Sequence, residues 1–239
     1  MHMKSIIRLT LPVLLLYASW HQAFAADTNR DYAMWEKDIS AYERSDATNP
    51  PPKGGIEFIG SSVIARWKTL KQDFAGQPVY DRGFGGSEIV DSTHFADRIV
   101  FPYAPAKIFF RAGGNDLWAG KSSEQVFTDY QEFTALVHSN LPNTEIYFIS
   151  WNATPSRWKQ HDKEKALNNM VEAFVQDKPY LKYIEDYDIA FDAEGKLRPE
   201  LFVADQLHFN AAGYKLLTAR IWPYLTNSPT AGPVNGATK

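Results

Sequence analysis

Five short apolar runs, at 56–59, 79–84, 107–111, 145–150 and 181–184, divide this chain, and each is followed by a stretch with room for a helix. Runs of this length are too short for buried helices and suit strands. Five buried strands that alternate with helices argue for a parallel sheet with helices on both faces. The covering helices are clearest at 122–140 and 155–176. An earlier amphipathic helix over 31–46 carries Tyr32, Trp35, Ile39 and Tyr42 at helical spacing and ends before Asn49-Pro50-Pro51-Pro52. A last helix over 210–225 is interrupted late by Pro223. The pattern predicts an α/β protein, a three-layer α/β/α sandwich around a five-stranded parallel sheet.

Sheets of this kind gather ligands at the carboxyl ends of their strands. The first run leads into Gly60-Ser61-Ser62, the second into Gly83-Phe84-Gly85-Gly86-Ser87 and the third into Gly113-Gly114-Asn115-Asp116. Three polar, glycine-rich turns therefore meet on one rim. Neither phosphate-loop reading of them survives. In "GGNDLWAGKS" the spacing to Gly120-Lys121-Ser122 is wrong for a Walker loop, and "GFGGSE" puts Glu88 where a dinucleotide fingerprint needs its third glycine.

With 239 residues, 44% of them hydrophobic, the chain has ample material for one core. A formal net charge of −3 argues against a nucleic-acid or anionic-membrane partner. There is no cysteine, hence no disulfide, thiolate metal site or cysteine nucleophile. Lys4 and Arg8, the apolar run from Leu9 to Ala18 and Ala23-Phe24-Ala25 make residues 1–25 a predicted signal peptide cleaved after Ala25. The run is too short to favour a spanning helix. The expected organisation is a signal at 1–25, one domain at 26–226 and a disordered tail at 227–239, secreted or periplasmic and without stable membrane insertion.

Beyond the signal only four histidines remain: His94 in mid-helix, His138 and His161 in exposed helix or loop sequence, and His208. His208 follows Asp205 by three residues, before the last helix. At that spacing a carboxylate can hold one imidazole nitrogen and leave the other free as a base, although the pair would equally suit a helix cap. No HExxH or cysteine pattern supplies ligands for a metal.

Taken in order, Gly60-Ser61-Ser62, Gly86, Gly113-x-Asn115-Asp116 and Asp205-x-x-His208 resemble the four blocks of the SGNH hydrolase superfamily, the GDSL-type esterases and lipases, over nearly the whole expected mature length. The resemblance implies a flavodoxin-like sheet and a serine esterase without cofactor. It implies Ser62 as nucleophile, His208 as base and Asp205 as its orienting acid. The backbone N–H groups of Ser62 and Gly86 and the Asn115 amide would be the oxyanion-hole donors. One departure stands out: Ser61 takes the place of the family's aspartate, which is no member of the triad. The implied substrate is a small-molecule, glycan or lipid ester, with short acyl groups favoured because no long insertion suggests a lid. Lysophospholipase or thioesterase activity competes, as does a non-catalytic carbohydrate-binding module on the same fold. Trp118 and Trp151 lie near the rim, where they either bind substrate or pack helices onto the sheet.

Overall fold

Each of the five apolar runs forms a strand. The computed structural model describes residues 30–226, so the expected signal at 1–25 and tail at 227–239 lie outside the described residues. The strands are β1 (Ile56–Gly60), β2 (Val79–Gly83), β3 (Lys107–Arg111), β4 (Glu145–Ile149) and β5 (Leu181–Ile184). They pair in the order β2-β1-β3-β4-β5, parallel throughout. The chain leaves β1 for one edge, then crosses back over it to β3. Connections therefore diverge between β1 and β3, and the crevice at such a divergence is where this topology accepts ligands.

Helices cover both faces: α1 (Glu36–Asp46), α2 (Ser62–Ala65), α3 (Leu70–Asp73), α4 (Ile89–His94), α5 (Ala96–Ile99), α6 (Gly114–Trp118), α7 (Ser123–Asn140), α8 (His161–Val175) and α9 (Ala211–Thr226). Alternate strand residues sort into two cores. Ile59, Phe110 and Phe148 pack with Ile39, Ile89, Ile99, Phe133 and Leu167 on one face. Phe58, Phe109 and Tyr147 pack with Ile64, Leu70, Leu217 and Ile221 on the other. Phe58, Phe109 and Tyr147 are register partners across β1, β3 and β4, and their rings stack with centroids 4.8 Å apart at each step. Such aromatic stacking adds to the burial of large apolar area.

The predicted helices need three corrections. Residues 31–46 begin with a 3₁₀ turn, Tyr32–Trp35, where the Asp31 carboxylate accepts from the Ala33 N–H. The continuous helix expected over 155–176 is divided: Pro155–Gln160 is 3₁₀ and α-helix starts only at His161. Arg157 breaks the helical run with φ −117° and ψ 25°, while the Arg157 and Gln160 side chains both reach back to the Gly114 carbonyl. Pro223 does not interrupt α9; it removes one backbone donor within the last turn, and the buried Ile221 and Leu225 hold that turn on the sheet.

Candidate active site

The first strand ends on Gly60, at φ +146°, where a Cβ would lie 2.1 Å from the Arg111 carbonyl oxygen. Only glycine lets the tips of β1 and β3 come this close. The Ser61 N–H then donates to that same carbonyl at 3.1 Å, and the Ser61 carbonyl accepts from Ile64 and Ala65 to start α2. Ser61 is buried as the cap residue, at 2% exposure. Ser62 is the first helical residue and half-buried, with its hydroxyl in the crevice. Its N–H, at the start of a helical turn, has no acceptor within the helix.

On the opposite side, residues 203–208 form a tight loop closed by hydrogen bonds from the Val203 N–H to the His208 carbonyl and from the Gln206 N–H to the Val203 carbonyl. Asp205 Oδ1 accepts from the N–H groups of Leu207 and His208 at 2.9 and 3.0 Å, and Oδ2 lies 2.7 Å from His208 Nδ1. His208 Nε2 lies 2.8 Å from Ser62 Oγ. An ionised carboxylate only accepts, so Nδ1 carries the proton and, in the neutral ring, Nε2 accepts from the serine hydroxyl. Partial burial pushes the Asp205 carboxyl up, but the hydrogen bonds from His208 and Leu207 and the nearby imidazole outweigh it and hold the group well below the usual carboxylate range. The Arg66 guanidinium stands 3.6 Å from Asp205 Oδ2, with both side chains exposed. A hydrogen bond from Tyr214 Oη to the Val63 carbonyl ties α9 to α2, which keeps the histidine loop and the serine turn in register.

The third side comes from β3. A Cβ on Gly114 would approach the Trp151 ring to 2.9 Å, so α6 can turn over that indole. Asn115 Nδ2 donates to the Ser87 carbonyl at 2.9 Å, and Asn115 Oδ1 accepts from Arg157 at 3.0 Å. Two of the amide's polar sites are thereby fixed and one N–H remains for a ligand. Gly86, exposed at φ +82°, immediately precedes Ser87 on the loop after β2. The structure therefore brings Ser62, Asp205 and His208 into one hydrogen-bonded chain and places Asn115 on the wall of the same cleft.

The two tryptophans differ. Trp151 is 8% exposed; its indole N–H donates to the Ala112 carbonyl, and its ring is at once core and cleft wall. Trp118 is 57% exposed and stacks on the Arg157 guanidinium at 5.0 Å rather than lining the cleft. The other histidines are occupied by aromatic neighbours. His94, at the end of α4 rather than its middle, stacks on Tyr32 at 3.6 Å; His138 stacks on Tyr180 at 3.7 Å and His161 on Trp158 at 4.1 Å. Lys121 of the rejected phosphate loop meets Glu88, Asp116 and Asp129. Among the described residues no cluster of three His, Asp or Glu side chains is placed to hold a metal, and no helix is long and apolar enough to cross a membrane.

Sequence reading missed the cleft's other polar groups. The cleft is narrow, with a cavity volume of about 20 Å³, and is lined also by Arg111, Asn152, Thr154, Arg157, Gln160 and Glu164. Arg111 is fully buried and donates to Asp186 at 2.6 Å and to Asn152. Burial pushes the Asp186 carboxyl up to about 6 despite the opposing pull of Arg111. These residues lie 41 and 75 positions from Arg111, so no local spacing signals them.

The model of the GDSL-like Lipase/Acylhydrolase family matches residues 58–216, about two thirds of the chain and all of the site. No curated protein matches. Among solved structures, a GDSL-like lipase from Bacteroides thetaiotaomicron superposes with a TM-score of 0.65 at 18% identity, covering 82% of this chain and 98% of that one. An acetyl-xylooligosaccharide esterase from Geobacillus stearmophilus gives 0.59 at 14% identity, covering 74% and 97%. The catalytic domain of a Streptococcus pneumoniae peptidoglycan O-acetyltransferase gives 0.55 at 18%, covering 72% and 92%. At these identities the structural likeness is one of fold, and it agrees with the family match. The chain belongs to the GDSL-like lipase/acylhydrolase family and is a hydrolase of carboxylic esters.

Proposed function

We propose that this protein is an exported serine esterase that removes short acyl groups through an acyl-serine intermediate, with Ser62 as nucleophile. The unbroken hydrogen-bonded chain Ser62–His208–Asp205 carries this reading. His208 Nε2 takes the Ser62 proton as Oγ attacks the ester carbonyl carbon, while Asp205 holds the tautomer and stabilises the imidazolium. The oxyanion is received by the Ser62 and Gly86 N–H groups and the remaining Asn115 N–H. Collapse expels the alcohol, which takes the proton from His208. Water then repeats the sequence and frees the acid.

The short-acyl part is supported by the narrowness of the cleft, about 20 Å³, and by the burial of its lining residues Arg111, Asn152 and Thr154, all at most 7% exposed. Two relatives in fold carry acetyl chemistry in their names, one on xylooligosaccharides and one on peptidoglycan, and an acetylated glycan would suit an exported enzyme. The assembled triad argues against a non-catalytic module. The test is treatment with a fluorophosphonate followed by peptide mass spectrometry. The adduct is expected on Ser62; an adduct on Ser61, or none on protein that hydrolyses phenyl acetate, would remove Ser62 from its role.

A further inference from the structure

A charge withdrawn from water is ordinarily paired with its opposite. Arg82, Arg98, Arg111 and Arg220 follow that rule, meeting Asp46, Glu36, Asp186 and Asp188. Arg157 does not. It is half-buried and lines the cleft beside Asn115, yet none of the ion pairs among the described residues includes it. Glu164 acts on it from beyond contact, and Gln160 donates to that carboxyl. Burial lowers the Arg157 pKa from its ordinary value, but a guanidinium keeps its proton in a protein. The wall of the cleft therefore carries a fixed positive charge that no carboxylate takes up.

Its contacts direct that charge at one amide. Nη1 donates to Asn115 Oδ1 at 3.0 Å and to the Gly114 carbonyl at 3.3 Å. The Trp118 ring, at the end of the helix that carries Asn115, lies 5.0 Å from the guanidinium and steadies it by a cation–π contact. Arg157 leaves helical geometry within its segment, and the neighbouring Ser156 N–H donates to the Gln206 carbonyl at 3.0 Å. The segment is thereby moored to the loop of Asp205 and His208. Asn115 Nδ2 donates to the Ser87 carbonyl at 2.9 Å. Turning the amide over would set Oδ1 against that carbonyl and Nδ2 against the guanidinium, so both neighbours select one orientation. In it the second N–H is left for the cleft. A cation on the amide oxygen also draws electron density from the nitrogen, which strengthens that N–H as a donor.

We propose that Arg157 is a positioning residue of the oxyanion hole: it locks and polarises the Asn115 amide so that one N–H is presented to the developing oxyanion. The inference rests on the serine-esterase reading above. A donor prepared in this way gains strength only as negative charge forms on the substrate oxygen, so the contribution of Arg157 belongs to kcat and not to KM. The Ser87 carbonyl still holds the amide when Arg157 is replaced. Loss of the guanidinium therefore weakens the donor without abolishing it, and the effect is smaller than that of removing Asn115 itself.

A double-mutant cycle on phenyl acetate hydrolysis makes the test, with thermal unfolding of each protein as the control for folding. Arg157→Met keeps apolar bulk beside Trp118 and removes the charge and the donors. In the wild-type background it is expected to lower kcat by about tenfold, part of the 10²–10³-fold that one oxyanion donor supplies, with KM changed by less than about twofold. In the Asn115→Ala background the same substitution has no amide to act through, and kcat falls by less than about threefold. Arg157→Lys, which restores a cation and a donor, recovers most of the loss. Should a variant not fold, Arg157→Gln or Asn115→Ser takes its place in the cycle. An equal fall in both backgrounds, a loss carried by KM, or an unchanged kcat in folded Arg157→Met overturns the positioning role and leaves the esterase reading standing. Wild-type kcat in folded Asn115→Ala removes the amide from the oxyanion hole, and Arg157 with it. A wild-type protein that hydrolyses no phenyl acetate removes the esterase reading itself.

Discussion

Replacing Asn115 tests the proposed mechanism, because its side chain makes two scaffolding hydrogen bonds and, in that mechanism, also receives the oxyanion. The amide donates to the Ser87 carbonyl at 2.9 Å and accepts from Arg157 at 3.0 Å, which leaves one N–H for the developing oxyanion. In Asn115→Ala the two scaffolding bonds are lost. At about 1 kcal/mol each in a half-buried setting, they cost about 1–2 kcal/mol of stability. For a domain of this size that lowers Tm by roughly 2–8 °C. The lost oxyanion donor costs about 2.7–4 kcal/mol of barrier, a fall in kcat of roughly 10²–10³-fold with KM little changed. Asn115→Asp keeps the shape and the contact with Arg157, but it has no N–H, sets a carboxylate oxygen against the Ser87 carbonyl and places negative charge beside the oxyanion. Its kcat should therefore fall at least as far as that of Asn115→Ala, with thermal unfolding of each variant as the control for folding. The assay is steady-state hydrolysis of phenyl acetate and thermal unfolding on the same preparations. Folded Asn115→Asp with wild-type kcat would refute the argument.

Two further predictions concern the core and export. Burial pushes the Glu57 carboxyl up to about 8, against Arg82 and a hydrogen bond from Tyr80; a raised carboxyl contributes stability that is complete below about pH 4.5 and declines as pH rises towards 8. Glu57→Gln should therefore raise Tm at pH 8–9, by up to about 5 kcal/mol in unfolding free energy, with the gain shrinking below pH 5; a gain independent of pH would show that Glu57 does not titrate in this way. If residues 1–25 are a cleaved signal, N-terminal sequencing of the exported protein begins at Ala26, and a mature chain retaining Leu11 contradicts export by this route.

Which features could be read from the sequence depended on how locally their physics is encoded. Each strand has an apolar centre or start bounded by turn residues, so all five were legible to within a residue or so. The Asp205–His208 pair was legible because three residues suffice to bring a carboxylate to an imidazole across one turn. The contact of His208 with Ser62 spans 146 residues and follows from no periodicity; only the order of the four blocks announced it. The stretch from Pro155 carries helical patterning throughout, and nothing local says that Arg157 will leave the helix to hold Asn115. Nothing local announces the pairing of Glu57 with Tyr80, which lies on the neighbouring strand. The stacked partners of His94, His138 and His161 were hidden for the same reason.

The least legible element also explains why the cleft has a fixed shape. Arg111 ends β3, Asn152 follows β4 and Asp186 follows β5; one buried guanidinium joins all three tips. The Trp151 and Phe209 rings lie 5.2 and 5.9 Å from it, so the ion pair sits between aromatic faces with its charge compensated rather than solvated. A buried pair of this kind is weak evidence for added stability, since removing two charges from water cancels much of their attraction. What it does supply is geometry. Phe209 is the residue after His208, and the Arg111 carbonyl receives the Ser61 N–H. One residue thus braces the Ser62 turn through its backbone and packs against the His208 loop through its side chain. A catalytic group displaced by about 1 Å can lose 10²-fold in rate. Together with the Tyr214–Val63 hydrogen bond, the buried pair ties the elements that carry Ser62 and His208, whose side chains lie 2.8 Å apart.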